Sequence, residues 1–137
     1  VLGDLLYEGE GKITGKRVLD VTHGPKIEVS LSREGKMRGV EVTELLTYCA
    51  MPKNDKTIHG EGQGVVMIKD GTEIATYTAQ GIGRVKEQPG IVSFRGSFFF
   101  QTSSRDKLVF LSNLVGVSEG EDDMNSIYSS IRIWEWK

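Results

Sequence analysis

Between Met37 and Met51 the chain reads MRGVEVTELLTYCAM, with Val40, Val42, Leu46, Tyr48 and Ala50 at alternate positions. On a strand, Glu44 shares their face. A carboxylate on an apolar face is costly unless it is paired or put to use. Desolvation is expected to raise its pKa and leave it protonated, able to exchange a proton with a bound ligand. The competing expectation is a salt bridge to an arginine such as Arg95, or an exposed face. Tyr48 falls beside Glu44, whereas Cys49 points the other way. A lone cysteine without a histidine partner is read as a small hydrophobe.

A second set of polar residues stands inside otherwise strand-like segments: Gln63, Gln80, Arg84, Arg95, Gln101 and Asn113. Gln63 faces with Val65 and Met67, and Asn113 with Leu111 and Val115. Inside a barrel such amides satisfy one another or trapped water. Equally, they are the few orienting groups an apolar ligand pocket needs. The candidate ligand-binding residues are therefore Glu44, Tyr48, Gln63, Gln80, Arg95, Gln101 and Asn113, and no catalytic residue is assigned.

Other chemistry finds little support. Gly60, Gly62 and Gly64 superficially suggest a phosphate loop, but such a cluster must open a helix. Here the strand-like Val65-Val66-Met67-Ile68 follows, and no Gly-Lys-Ser/Thr occurs. His23, His59 and Cys49 form no metal-ligand motif, and the acidic run Glu119, Glu121, Asp122, Asp123 lacks calcium-loop spacing, so it reads as a solvated turn. Neither histidine sits in a motif that supports a Ser-His-Asp arrangement. No metal and no cofactor are implied.

The elements that would position these residues are strands. Asp70-Gly71 joins two β-rich arms, a signal for a tight primed turn. The glycine ladders flanking it, Gly60–Gly64 and Gly81–Gly83, leave one strand face bare, as a tightly curled sheet requires. Ahead of this hairpin, Val1–Leu6 is a docking tail or the lead-in to a strand. Glu8 to Thr22 reads as a long strand interrupted near Gly15 by a bulge. A turn at His23-Gly24-Pro25 leads into the alternating Ile27, Val29 and Leu31, and Glu34-Gly35-Lys36 turns the chain back. Met37–Met51 allows helical spacing, but its β-branched content favours a strand. Met51–Lys56 is a polar loop. Beyond the hairpin, Gln88-Pro89-Gly90 precedes a strand from Ile91 to Thr102. Ser103–Asp106 turns into Leu108–Glu119, apolar on both faces as in a doubly covered strand. Glu119–Asn125 is a loop, and Ile127–Trp136 is the last strand. Phe94, Phe98, Phe100, Trp134 and Trp136 serve as core, or as an outer apolar patch favouring self-association.

A chain of 137 residues is expected to form a single domain, residues 1–137, with a core of its own. Its net charge of −2 offers nothing to attract nucleic acid or an anionic membrane. No apolar run approaches the roughly 18 residues of a membrane span. One unpaired cysteine suits a reducing, cytoplasmic setting. A start at Val1 rather than Met leaves room for a preceding segment or signal.

Gly62-Gln63-Gly64-Val65, Asp70-Gly71, Gly81-Ile82-Gly83-Arg84, Arg95-Gly96, Gln101-Thr102-Ser103 and Trp134-Glu135-Trp136-Lys137 together resemble an uncharacterised family of small microbial β-barrel proteins. The resemblance spans nearly the whole chain. At the level of fold it implies the allene oxide cyclase-like, calycin-like barrel, without carrying over any catalytic residue. The resulting expectation is an all-β protein, a closed antiparallel barrel of about eight strands. Its expected role is to bind a small, mostly apolar ligand in the barrel mouth. The alternatives are a cyclase or isomerase on a lipid-derived substrate, and a purely structural oligomer. Self-association, a dimer first, is expected through the aromatic strands.

Overall fold

A computed structural model describes all of residues 1–137. Eight strands follow in chain order: β1 (Leu2–Asp20), β2 (Lys26–Met37), β3 (Val40–Pro52), β4 (Thr57–Ile68), β5 (Ile74–Val85), β6 (Ile91–Thr102), β7 (Leu114–Asp123) and β8 (Tyr128–Trp136). Each pairs antiparallel with the next, and β8 returns to β1, from Leu2 opposite Trp136 to Lys12 opposite Tyr128. The sheet is therefore a closed eight-stranded barrel, as the alternation predicts. Closure pairs both edges of the strands around the barrel wall, leaving only the far end of β1 with an open edge. β1 slips register between Ile13 and Gly15, at the expected bulge, and beyond it pairs with β2 alone as a ribbon. Val1–Leu6 leads into this strand rather than forming a tail.

Several expected boundaries are corrected. The chain does not turn at Glu34-Gly35-Lys36; β2 continues to Met37, and Arg38 (φ 46°) and Gly39 (φ 81°) make the turn. Gly35 is needed for another reason: a Cβ there would lie 2.0 Å from the Glu8 carbonyl oxygen across the β1–β2 pair. Asp70-Gly71 lies within a longer connection between Ile68 and Ile74 rather than a two-residue primed turn. Only Gly71 takes positive φ there, while the Asp70 carboxylate accepts hydrogen bonds from the Thr72 amide and hydroxyl. Leu108–Glu119 is not one strand. Leu108 precedes and Leu111 ends a short 3-10 turn, Val109–Leu111, before β7 begins at Leu114. Nor is Glu119–Asn125 a loop, since β7 runs on to Asp123.

The 3-10 turn closes one end of the barrel. Leu108 and Leu111 are fully buried there among Leu6, Met37, Val42 and Phe100. Burial of each such side chain stabilises the fold by roughly 1.5–3 kcal/mol. Glu73 fixes the approach, its Oε1 accepting from the Leu108 amide at 3.0 Å and from the Ser104 hydroxyl. A smaller cluster of Ile13, Val29 and Leu31, with Ile27 and Met124 against it, occupies the opposite half. No helix is long and apolar enough to cross a membrane.

Candidate functional site

Strand alternation carries two charged side chains of the Leu31–Met37 and Leu114–Asp123 segments to the inside. On β2 the inward series is Val29, Leu31, Arg33, Gly35, Met37; on β7 it is Leu114, Gly116, Ser118, Gly120, Asp122. Arg33 and Asp122 are buried for that reason, as is Glu44 on β3. Arg33 and Glu44 are direct cross-strand partners. The guanidinium clamps the carboxylate with two bonds, Nε to Oε1 at 2.7 Å and Nη2 to Oε2 at 2.9 Å. This fork geometry is the strongest way to pair the two groups.

From this pair a hydrogen-bonded network crosses the lumen. The Tyr77 hydroxyl donates to Glu44 Oε2. On the other side Arg33 Nη1 donates to Ser129 Oγ at 3.1 Å, and Ser129 donates to Asp122 Oδ1 at 2.6 Å. Tyr48 donates to Asp122 Oδ2 at 2.9 Å. The Tyr7 hydroxyl lies near Glu44 but has no hydrogen-bond partner, the one buried side-chain polar atom so left.

These contacts set the electrostatics. Burial by itself would push the Glu44 carboxyl up, but the Arg33 charge and the hydrogen bonds from Arg33 and Tyr77 outweigh it and hold the group below the ordinary value of 4.5. The expectation of a protonated Glu44 is thereby overturned. Its inward position is as anticipated, but its partner is Arg33 and not Arg95, and three hydrogen bonds from Arg33 and Tyr77 hold it as a carboxylate. Burial also opposes the charge on Arg33, and Glu44 more than restores it. Tyr7, Tyr48 and Tyr77 are all pushed upward, chiefly by burial and then by a neighbouring carboxylate. Their phenols stay neutral at ordinary pH.

Above the network lies a cavity of about 90 Å³. Its walls are Leu31, Leu46, Phe94, Phe98 and Ile131, and its polar boundary is Arg33, Tyr48, Tyr77 and Asp122. Its space comes from the inward glycines of β4–β7, among them Gly60, Gly62, Gly81, Gly96 and Gly120, which place no side chain in the lumen. Tyr48 and Phe94 meet edge to face at 5.6 Å, as do Tyr77 and Phe98 at 4.7 Å.

Of the expected site residues, Glu44 and Tyr48 reach the interior. Gln63, Gln80, Arg95, Gln101 and Asn113 are exposed and belong to the outer face. Gln101 and Asn113 do satisfy each other, Nε2 to Oδ1 at 2.7 Å, but on the outside of the barrel. Arg95 and Gln80 reach only the cavity's rim, and the Arg95 guanidinium is turned outward to the Phe94 carbonyl, Ser93 and Glu119. Phe94, Phe98 and Phe100 point inward, whereas Trp136 is exposed on the outer face. Sequence reasoning missed Arg33, Asp122 and Ser129. For Arg33 a signal was present, because the period-two alternation of Val29 and Leu31 continues through it; the inward series before Asp122 is Gly116, Ser118 and Gly120, which carries no apolar alternation.

The outer face itself is divided. Around β1, β7 and β8 it carries ion pairs, Arg132 with Glu8 at 2.6 Å and Lys86 with Glu121 at 2.9 Å. Across the middle of β3–β6 it holds Leu45, Gln63, Val65, Thr76, Thr78 and Phe99 in a shallow concavity without a charged side chain.

No family model and no curated protein matches the chain. Solved structures do. A protein with unknown function from Clostridium acetobutylicum superimposes with a TM-score of 0.79 at 12% identity, covering 98% of each chain. A conserved protein of unknown function from Rhodopseudomonas palustris gives 0.76 at 13% identity, over 98% of this chain and 97% of that one. At this identity the likeness establishes a shared fold and nothing about activity.

Proposed function

We propose that this protein binds a small, mostly apolar molecule inside the barrel, against the Tyr48–Asp122 end of the buried network. The observation that carries the reading is the cavity of about 90 Å³, walled by aliphatic and aromatic side chains and bounded on one side by fixed polar groups. An apolar pocket with a few oriented polar groups is the usual form of a ligand site. Its size restricts the occupant. A cavity of about 150 Å³ accommodates benzene, so this recess holds about four heavy atoms of its occupant. We take the barrel to be of the allene oxide cyclase-like, calycin-like kind, on its eight-stranded up-and-down order, and its unpaired Cys49 to suit the cytoplasm.

Gly60 supplies the test. A Cβ built there meets nothing closer than 3.9 Å, with Phe94 and Tyr48 of the cavity wall among its neighbours. Gly60→Val suits a strand, and its methyl groups enter the cavity. Xenon titration followed by amide chemical shifts should perturb Tyr48, Gly60 and Phe94 in the wild type and leave the variant unmoved. A wild type whose cavity amides ignore xenon, and which retains no small molecule in native mass spectra after purification from its source, would sink the proposal.

The uncharged outer face favours a second reading of the protein's partners. A surface without charged side chains brings two copies of a chain with net charge −2 together with no buried charge to desolvate, and depletion of charge marks interface centres. We infer that a second copy of this chain covers Leu45, Val65 and Phe99.

A further inference from the structure

The inner face of the barrel holds two buried carboxyl groups, Glu44 and Asp122, and one buried cation, Arg33; no lysine and no other arginine is buried. Arg33 is committed to Glu44 through two of its nitrogens. Asp122 is reached by it only through the Ser129 hydroxyl, and otherwise receives a neutral donor, Tyr48. A carboxylate offers about four acceptor sites, and each Asp122 oxygen has one protein hydrogen bond. Asp122 also lines the cavity, beside Tyr48, which donates to it and packs edge to face on Phe94. Surplus negative charge, open acceptor sites and ring faces around one small space are what a compact organic cation requires.

We propose that the cavity takes a small protonated amine, its ammonium group hydrogen-bonded to Asp122 and its alkyl part against Phe94, Phe98 and Leu31. The proposal rests on the binding function inferred above and names the chemical class of its ligand. Desolvated anions and neutral molecules gain less there. An anion meets Asp122 and has to share Arg33 with Glu44, which already holds two of its nitrogens. A neutral molecule leaves the surplus charge uncompensated. The rim is mixed in sign and provides no competing selectivity, since Arg95 lies against Glu119 at 3.7 Å and Lys86 against Glu121 at 2.9 Å.

Three isosteric probes separate the possibilities on the unmodified protein: isopropylammonium, 2-propanol and acetate, each of about four heavy atoms to suit the cavity. Amide chemical shifts are followed at matched ionic strength, so that charge screening is the same in all three titrations. Isopropylammonium should saturate shifts at Tyr48, Gly60 and Asp122 and bind at least about tenfold tighter than 2-propanol. Acetate should bind weakest. Asp122→Asn should abolish the preference for the cation while 2-propanol still binds, which also shows that the variant is folded. Equal or tighter binding of 2-propanol overturns the amine class and leaves the binding function standing. Tightest binding by acetate likewise overturns it and assigns recognition to Arg33. If xenon and all three probes leave the cavity amides unmoved, both inferences fall.

Discussion

Replacing Glu44 by Gln tests whether the centre of the barrel is organised by charge. The side chain keeps its shape and one carbonyl oxygen, so Arg33 Nε can retain its 2.7 Å bond. The amide nitrogen then takes the place of Oε2, which now accepts from both Arg33 Nη2 and Tyr77. Two donors face a donor, and the buried guanidinium loses its counterion. Breaking one side of a buried pair costs about 3–5 kcal/mol, a large share of the roughly 5–15 kcal/mol that holds a domain folded. With a urea slope of about 2 kcal/mol per molar, the midpoint should fall by about 2 M. Removing both charges with Arg33→Met and Glu44→Leu should recover part of that loss, because neither member of the pair is then left facing an empty place, while Asp122 keeps only its neutral donors Ser129 and Tyr48. A midpoint for Glu44→Gln within a few tenths molar of wild type would refute the reasoning. So would a double variant no more stable than the single one.

The same variant makes a statement about pH. The folded-state pKa of Glu44 is depressed below its ordinary 4.5. Folding therefore favours the ionised form, and its contribution is complete above the unfolded value. It is lost as pH falls below about 4.5 and through the folded pKa. Glu44→Gln should flatten this acid limb. Part of the limb should persist, because Asp20, Asp55, Asp70 and Asp123 are also held low, by hydrogen bonds from residues two or three positions on. An acid limb in Glu44→Gln as steep as in the wild type would mean that Glu44 carries none of it.

Two further outcomes follow from other parts of the barrel. Gly35→Ala should destabilise by more than the few tenths of a kcal/mol of a neutral surface change, since its Cβ would meet the Glu8 carbonyl at 2.0 Å; thermal melting at the wild-type temperature would contradict that close approach. Phe99→Lys, on an outward side chain 47% exposed, should convert a dimer to a monomer in sedimentation and remove the concentration dependence of the melt, and a wild type that is monomeric at high micromolar concentration would end the self-association reading.

The architecture was legible because alternation and glycine placement are local. Val29, Leu31, Val66, Phe98 and Ile133 announce their strands without reference to any distant residue. The site was harder to read because charge looked like a boundary. Arg33-Glu34-Gly35-Lys36 and Glu119-Gly120-Glu121-Asp122-Asp123 have turn-like composition, and only long-range partners make Arg33 and Asp122 affordable inside. Glu44 could be placed inward from its neighbours alone. Its protonation state could not, because that depends on a guanidinium from the adjacent strand. The outward amides misled for a related reason: Gln63 and Gln101 sit among strand residues, but strand membership says nothing about which face is wet.

The network also bears on how a glycine-rich barrel keeps its register. Bare inner faces on β4–β6 give little side-chain interlock to oppose a slip, and strands weakly patterned on both sides are prone to one. Arg33, Glu44, Tyr77, Asp122 and Ser129 bridge β2, β3, β5, β7 and β8 across the lumen. A one-residue slip of β2 would turn Arg33 to the outside and strand Glu44 in the core with only Tyr77. Buried polar groups that fix register at some cost in stability are known from coiled coils. On that view the charges set the pairing of the strands, and the glycines are then free to leave the space beside Tyr48 and Asp122 open. The two features are complementary: without the network the glycine wall would be a liability, and without the glycines the network would be sealed in a solid core with no ligand to meet.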